Sequence, residues 1–162
     1  METLRLLNII EKNARAEITD LAAILNETEK DVADKLTDLE TANIICGYHT
    51  VINWDKTNTE RVNAIIEVKA IPERETGYDN IASHIYKYPE VETCYLMSGS
   101  CEFMVIVKGK TMQEVANFVG RKLAPIQGVA GTTTHFMLKC YKFEGVVLES
   151  EEEKNERMLI TP

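Results

Sequence analysis

The sequence predicts an α+β fold in two parts, a helical front and a mixed sheet-and-helix rear. Three observations point there. Apolar residues recur every three to four positions through the front of the chain. From Val62 the apolar period drops to two, and the alternating runs enclose two further helical stretches. At 162 residues the chain is long enough to give each part its own core.

The first helix rests on Leu4, Leu7 and Ile10 at helical spacing, with Leu6 and Ile9 widening the face, and ends near Asn13. Thr19 is the candidate N-cap of a short second helix carrying Leu21, Ala22, Ile24 and Leu25. Asn26, which tolerates the left-handed conformation, closes it. The third helix opens at Thr28, whose hydroxyl can accept from the Asp31 N–H while Asp31 answers back in a Thr-x-x-Asp capping box. Its buried stripe is Val32, Leu36 and Leu39. Ile44, Ile45, Gly47, Tyr48, Val51 and Ile52 follow in extended style. Two helices on a tight turn with a small wing make residues 1–52 a winged helix-turn-helix. Any short helical hairpin has this spacing, so the helices alone point first to a three-helix packing unit with no nucleic-acid role.

Residues 53–61 are polar and without period, a linker with Trp54 as its packed anchor. A first strand sets Ala64, Ile66, Val68 and Ala70 against Ile65, Glu67 and Lys69, and Pro72 closes it. Between Gly77 and Pro89, Tyr78, Ile81, Ala82, Ile85 and Tyr88 keep helical spacing. Residues 91–97 and 101–107 are two β-rich runs joined by Ser98-Gly99-Ser100, a three-residue hairpin signal. Thr111 and Glu114 form a capping box for a helix carrying Met112, Val115, Ala116, Val119 and Leu123, which stops at Pro125. Beyond Gly128 and Gly131, residues 132–143 alternate as a long last strand. The order β-α-β-β-α-β over residues 62–143 is that of a ferredoxin-like sandwich, and residues 144–162 form an acidic tail.

Such a unit places both helices on one sheet face, yet several strands are apolar on both. Met104 and Ile106 oppose Phe103, Val105 and Val107, while Met137 and Tyr141 oppose Phe136 and Leu138. The second face needs a cover, and a second copy of the same sheet is the simplest one, so a homodimer at minimum is expected.

Hydrophobic residues at 44% and charged ones at 27% exclude a disordered chain. The net charge of −8 is uneven. Residues 1–62 hold seven Lys/Arg against twelve Asp/Glu, residues 63–143 nine against eight, and residues 144–162 two against six. An acidic front and tail argue against a generic nucleic-acid coat. The apolar run 103–107 falls far short of the roughly 20 residues of a membrane helix, and Glu2, Glu11 and Lys12 are unlike a secretory signal. A cytoplasmic protein without membrane contact is expected. Cys46, Cys94, Cys101 and Cys140 contain no C-x-x-C pair, so they read as reduced, mostly buried thiols rather than a metal site, and no cofactor is implied. Cys94 and Cys101 could face each other across the hairpin, though a reducing compartment disfavours a bridge.

Order and residues together resemble the leucine-responsive and asparagine-regulator (Lrp/AsnC) family of transcription factors, over roughly residues 3 to 143. The carriers are Ile18-Thr19-Asp20-Leu21-Ala22 through Leu39-Glu40, the exit Asn43-Ile44-Ile45-Cys46-Gly47-Tyr48, the strand-loop 95–103, and Gly128-Val129 leading into Thr132-Thr133-Thr134. The resemblance implies a front domain that binds double-stranded DNA and a rear domain that builds dimers and then higher rings, often octamers. It implies an amino acid or related metabolite bound between rear domains, altering assembly or DNA affinity. Carried over, that effector site comprises Ser98, Gly99, Ser100, Glu102, Thr132, Thr133 and Thr134, with Glu102 where the family often has Asp. The chemistry is sound, since a loop of small residues offers backbone N–H groups to a carboxylate while hydroxyls and a carboxylate receive an ammonium. Taken without the family order, the same residues read as a turn and a set of strand formers.

A recognition helix should offer basic or amide side chains to phosphates and base edges. This one offers Glu27, Thr28, Glu29, Lys30, Asp31, Asp34, Lys35, Thr37 and Asp38, more acid than base, so its own DNA affinity is weak. The candidate DNA contacts are Thr28, Lys30, Asp34, Lys35 and His49, with Arg15 and Lys56 as further compensating cations. Glu29 and Asp31 also suit the positive end of the helix dipole. The alternative is a ligand-sensing or assembly protein whose acidic front docks a protein partner. An enzyme of this architecture, as in tetrapyrrole decarboxylases, would need His84, His135 and Tyr95 for acid–base work, but these make no constellation and no enzyme is expected. In the tail, Met158-Leu159-Ile160 could pack on a neighbouring subunit after a solvated charge run.

Overall fold

A computed structural model describes residues 3–72, 74 and 77–148, so the acidic tail with its Met158-Leu159-Ile160 segment lies outside the described residues. The chain divides into two compact units, Met1–Ile52 and Asn53–Pro162.

The front unit is built from α1 (Thr3–Lys12), α2 (Ile18–Leu25) and α3 (Glu29–Thr41). Leu6, Leu21, Ala22, Val32 and Leu39 are buried together, flanked by half-buried Leu7, Ile9, Ile10, Leu25, Leu36 and Ile45. The stripe of α1 therefore centres on Leu6, not Leu4, which is 70% exposed. Thr19 lies inside the first turn of α2 instead of capping it. The helix starts two residues earlier, with Glu17 at the cap position contributing its carbonyl to the Leu21 N–H at 3.0 Å but no side-chain bond. Asn26 does close α2 with φ 56° and ψ 47°, and its N–H reaches the Ala22 and Ala23 carbonyls. Residues 44–52 form no strand and pair with none among the described residues, Ile44 and Ile45 lying in a bend, so no wing forms as a sheet of its own. Ile44 and Ile52 are exposed there, with no facing strand to bury them.

The rear unit begins with a single 3₁₀ turn, Trp54–Lys56, pinned by the Asn53 amide donating to the Leu148 carbonyl at 2.7 Å. Arg61 sits 4.8 Å over the Trp54 ring. Then follow β1 (Val62–Ala70), α4 (Asp79–Tyr86), β2 (Val91–Leu96), β3 (Phe103–Gly109), α5 (Met112–Phe118) with a π-helical turn at Val119–Leu123, and β4 (Val129–Phe136). The strands make one antiparallel sheet in the order β2-β3-β1-β4, the ferredoxin-like arrangement. The period-two pattern of β1 does what it implies: Ala64, Ile66, Val68 and Ala70 are buried with Phe103, Val105, Val107, Ile81, Ile85, Val115, Phe118 and Leu123. Both helices cover that face and no other.

The last strand differs from the sequence reading. It begins at Val129 and stops at Phe136, opposite Ala64; the last bond to β1 is the Met137 N–H to the Asn63 carbonyl at 2.9 Å, and Val62 and Asn63 pair with β3 alone. The chain then leaves the sheet; Leu138 is 91% exposed, and β5 (Lys142–Phe143) and β6 (Val146–Val147) form a separate small hairpin. Of the cysteines, Cys101 is buried, Cys94 and Cys140 are half-buried and Cys46 is exposed, all four being free. Register sets Cys94 opposite Val105, not Cys101, and burial pushes its thiol pKa up.

Candidate nucleic-acid and effector sites

The outward face of α3 carries the candidate nucleic-acid residues. Thr28 is its N-cap, and its hydroxyl is already committed, accepting from the Asp31 N–H at 3.1 Å and donating to the Asp31 carboxylate at 2.6 Å. Asp31 is thereby accounted for locally. Lys30, Asp34 and Asp38 are exposed at four-residue spacing, and Lys35 is half-buried. The Thr37 hydroxyl donates back to the Ala33 carbonyl at 3.0 Å. His49 is exposed on the extended segment. One residue earlier, the Tyr48 hydroxyl donates to the Glu40 carboxylate at 2.8 Å and ties that segment to the last turn of α3. The bond to Glu40, then burial, then the Glu40 charge raise the Tyr48 pKa. The structure thus joins the third helix and its exit through two side chains of the Leu39-Glu40 to Tyr48 stretch.

The candidate effector residues gather at one end of the sheet. Ser98, Gly99 and Ser100 are exposed in the β2–β3 hairpin, which the Met97 N–H closes on the Glu102 carbonyl at 2.8 Å. Across β1 lies the start of β4, for Val68 pairs with Phe103 on one side and Thr132 on the other. Glu102 links the two. Its N–H donates to the Val68 carbonyl at 3.1 Å and its carboxylate accepts the Ala70 N–H at 2.8 Å, where the β1–β4 register shifts at Lys69/Ala70. That contact to β1 is one sequence reasoning missed, since it depends on a register across three strands.

The three threonines do not act together. Thr132 and Thr134 pair with Val68 and Ile66 on the helix-covered face, with Thr134 one row farther from the hairpin, about 7 Å along the strand. Thr133 pairs with Glu67 on the opposite face. Period-two alternation in the sequence carried this signal.

The opposite face has no cover within the chain. Tyr95, Met104, Glu67 and Thr133 form one row across it, and Thr93, Ile106, Ile65 and His135 the next. Met104, Ile106 and Ile65 are only half-buried and Tyr95 is 54% exposed. His135 Nε2 lies 3.3 Å from the Glu67 carboxylate, a pair inside an otherwise largely apolar surface. The acid–base candidates are dispersed: Tyr95 and His135 stand on the two edge strands, about 14 Å apart at three strand spacings, and His84 is on α4. Among the described residues no group of three or more His, Cys, Asp or Glu side chains could hold a metal, and no helix is long and apolar enough to cross a membrane.

Comparison with known proteins follows the same division. Residues 63–147 match the Lrp/AsnC ligand binding domain. The chain is 37% identical over 158 residues to YugG, an HTH-type transcriptional regulator of Bacillus subtilis, across 97% of this chain and 95% of that one. It is 24% identical to a proline dehydrogenase transcriptional activator of Rhodobacter capsulatus, across 83% and 87% of the two chains. In fold it resembles a transcriptional regulator of Neisseria meningitidis solved as a complex with L-Met, with a TM-score of 0.69 at 22% identity over 88% of this chain and 92% of that one.

Proposed function

Because the chain belongs to the Lrp/AsnC family of transcriptional regulators, we propose that it binds double-stranded DNA through a helix-turn-helix made by α2 and α3, under the control of an amino acid or related metabolite held by its rear units. The observation that carries this reading is the likeness to the Bacillus subtilis regulator, which runs through both units and not the sheet alone. Lys30 and Lys35 supply the cations of the DNA surface, with His49, Thr28 and Asp34 beside them. Since Asp34 and Asp38 oppose phosphate, binding rests on many weak contacts added across subunits.

Two rear units pack their bare sheet faces together, so that Met104, Ile106, Ile65 and Tyr95 meet their counterparts and Glu67 and His135 are enclosed as partners. Dimers assemble further, to an octamer, and the effector lies where hairpin ends of neighbouring copies meet. There the backbone at Ser98–Ser100 and the hydroxyls of Ser98, Ser100 and Thr132 face the ligand carboxylate, and Glu102 faces its ammonium. Thr133 and Thr134 hold the strand beside it. The names of two relatives, a proline dehydrogenase activator and a methionine complex, support an amino-acid effector acting in the cytoplasm.

Fluorescence anisotropy with DNA flanking the protein's own gene tests this. Binding at low salt that falls steeply with added salt, and that moves with one or more amino acids, is the expected result. No binding at any salt, with or without amino acids, contradicts it. The exposed acids Asp34 and Asp38 favour a second reading, in which the front unit docks a basic protein; a stoichiometric protein complex that DNA does not displace selects it.

A further inference from the structure

We propose that the rear unit carries a second small-molecule site, on the helix side of the sheet, for a small organic oxyanion bearing a carboxylate or a phosphate. The site is a cavity of about 300 Å³ between α4 and the π-helical turn that follows α5. That volume lies at the small end of natural ligand pockets.

One wall is the outer face of α4, where Asn80 and His84 stand four residues apart. His84 Nδ1 is 2.8 Å from the Asn80 carbonyl, which can only accept, so in the neutral ring Nδ1 carries the hydrogen and Nε2 is left to take a ligand hydroxyl. Tyr88 continues this wall and is held in place by an edge-to-face contact with Phe118 at 5.6 Å.

The other wall is made by Arg121, Lys122 and Gln127, with Ile126 adding an apolar surface. The π turn is what presents the two cations. The Ala124 N–H bonds to the Val119 carbonyl at 2.8 Å, five residues back; Phe118 and Leu123 are buried in the core with Val119 packed against it, while Gly120, Arg121 and Lys122 are exposed. Lys122 is committed: it pairs with Glu90 and lies 5.5 Å from the Tyr88 ring. Arg121, its neighbour, has no hydrogen bond or ion pair among the described residues, and the same holds for the Gln127 side chain.

The electrostatics single this place out. In a chain of net charge −8, no carboxylate lines this cavity, while a guanidinium, an imidazole, an ammonium and two amides do. A guanidinium with all its donors unused takes an oxyanion in two parallel bonds, and the Gln127 amide adds a further donor. Tyr88 and Ile126 accommodate the ligand's body. The site lies on the face away from the bare sheet, so it does not depend on the dimer described above.

Isothermal titration calorimetry of the full chain with inorganic phosphate and with malate tests the proposal and separates the two sources of the oxyanion. The expected result is saturable binding of at least one of them, weakened tenfold or more in Arg121→Met and less in Arg121→Lys, which keeps charge but not the fork. Arg121→Met should unfold at the same temperature as the parent without ligand, since an exposed, unpartnered side chain is removed. Absence of binding by both anions, or binding that Arg121→Met leaves unchanged, overturns the proposal.

Discussion

Glu40 and Tyr48 stand eight residues apart, and one hydrogen bond between them ties the segment after α3 to the helix's last turn. Tyr48→Phe removes that bond from a half-exposed position and should cost about 0.5–1 kcal/mol in chemical denaturation of the front unit. The sign with pH is fixed by the raised phenol: its contribution is full below the ordinary tyrosine value and is lost as pH rises through the higher folded value. The variant should therefore lose less stability than the parent on the alkaline side. Glu90 works in the opposite direction. Burial alone would raise its carboxyl, but the Lys122 ammonium and a backbone bond hold it below its ordinary 4.5. Its contribution is full above that value and fades as pH falls through the lower folded one. Lys122→Met should thus cost about 0.5–1 kcal/mol in thermal unfolding near pH 7, and the gap should close in acid. Side-chain partners of this kind were legible only where they were local. The Thr28 and Thr111 caps were readable because cap and partner are three residues apart. The bond from Ala70 to Glu102 spans 32 residues and needs the sheet register first.

At the scale of elements, the fold was readable wherever apolar period alone sets the outcome. In β1 the alternation is exact, and in α4 Ile81 and Ile85 are both buried as their spacing requires. Reading failed where apolar period does not set an element's limit. β4 ends opposite Ala64 although β1 continues to Asn63 and Val62, and nothing in residues 137–143, still rich in strand formers, announces it. The π turn was hidden too, since Val115, Val119 and Leu123 fit an ordinary helix. The join between α4 and β4 depends on Gly128, at φ +90°, where an added Cβ would lie 2.6 Å from the Ile81 side chain. Ile81 is fully buried and cannot yield. Gly128→Ala should cost about 2–4 kcal/mol in thermal or urea unfolding of the rear unit, combining backbone strain with overpacking.

The whole molecule is a helical unit followed by a sheet unit that matches the Lrp/AsnC ligand binding domain. Their order was legible because the apolar period changes once, near Val62. What a single chain does not display is what covers the second sheet face or completes the ends of the hairpins, which the proposed dimer assigns to another copy. Ile106 lies near the middle of that face, paired with Ile65 and Thr93. Ile106→Lys puts an ammonium there at no cost to the core beneath. Sedimentation equilibrium at low micromolar concentration, parent against Ile106→Lys, is accordingly the most direct measurement. The parent should sediment at an even multiple of 18.3 kDa, and the folded variant should shift toward the single chain and lose DNA affinity with it. A parent that sediments as one 18.3 kDa chain, or a variant that assembles as the parent does, contradicts the account.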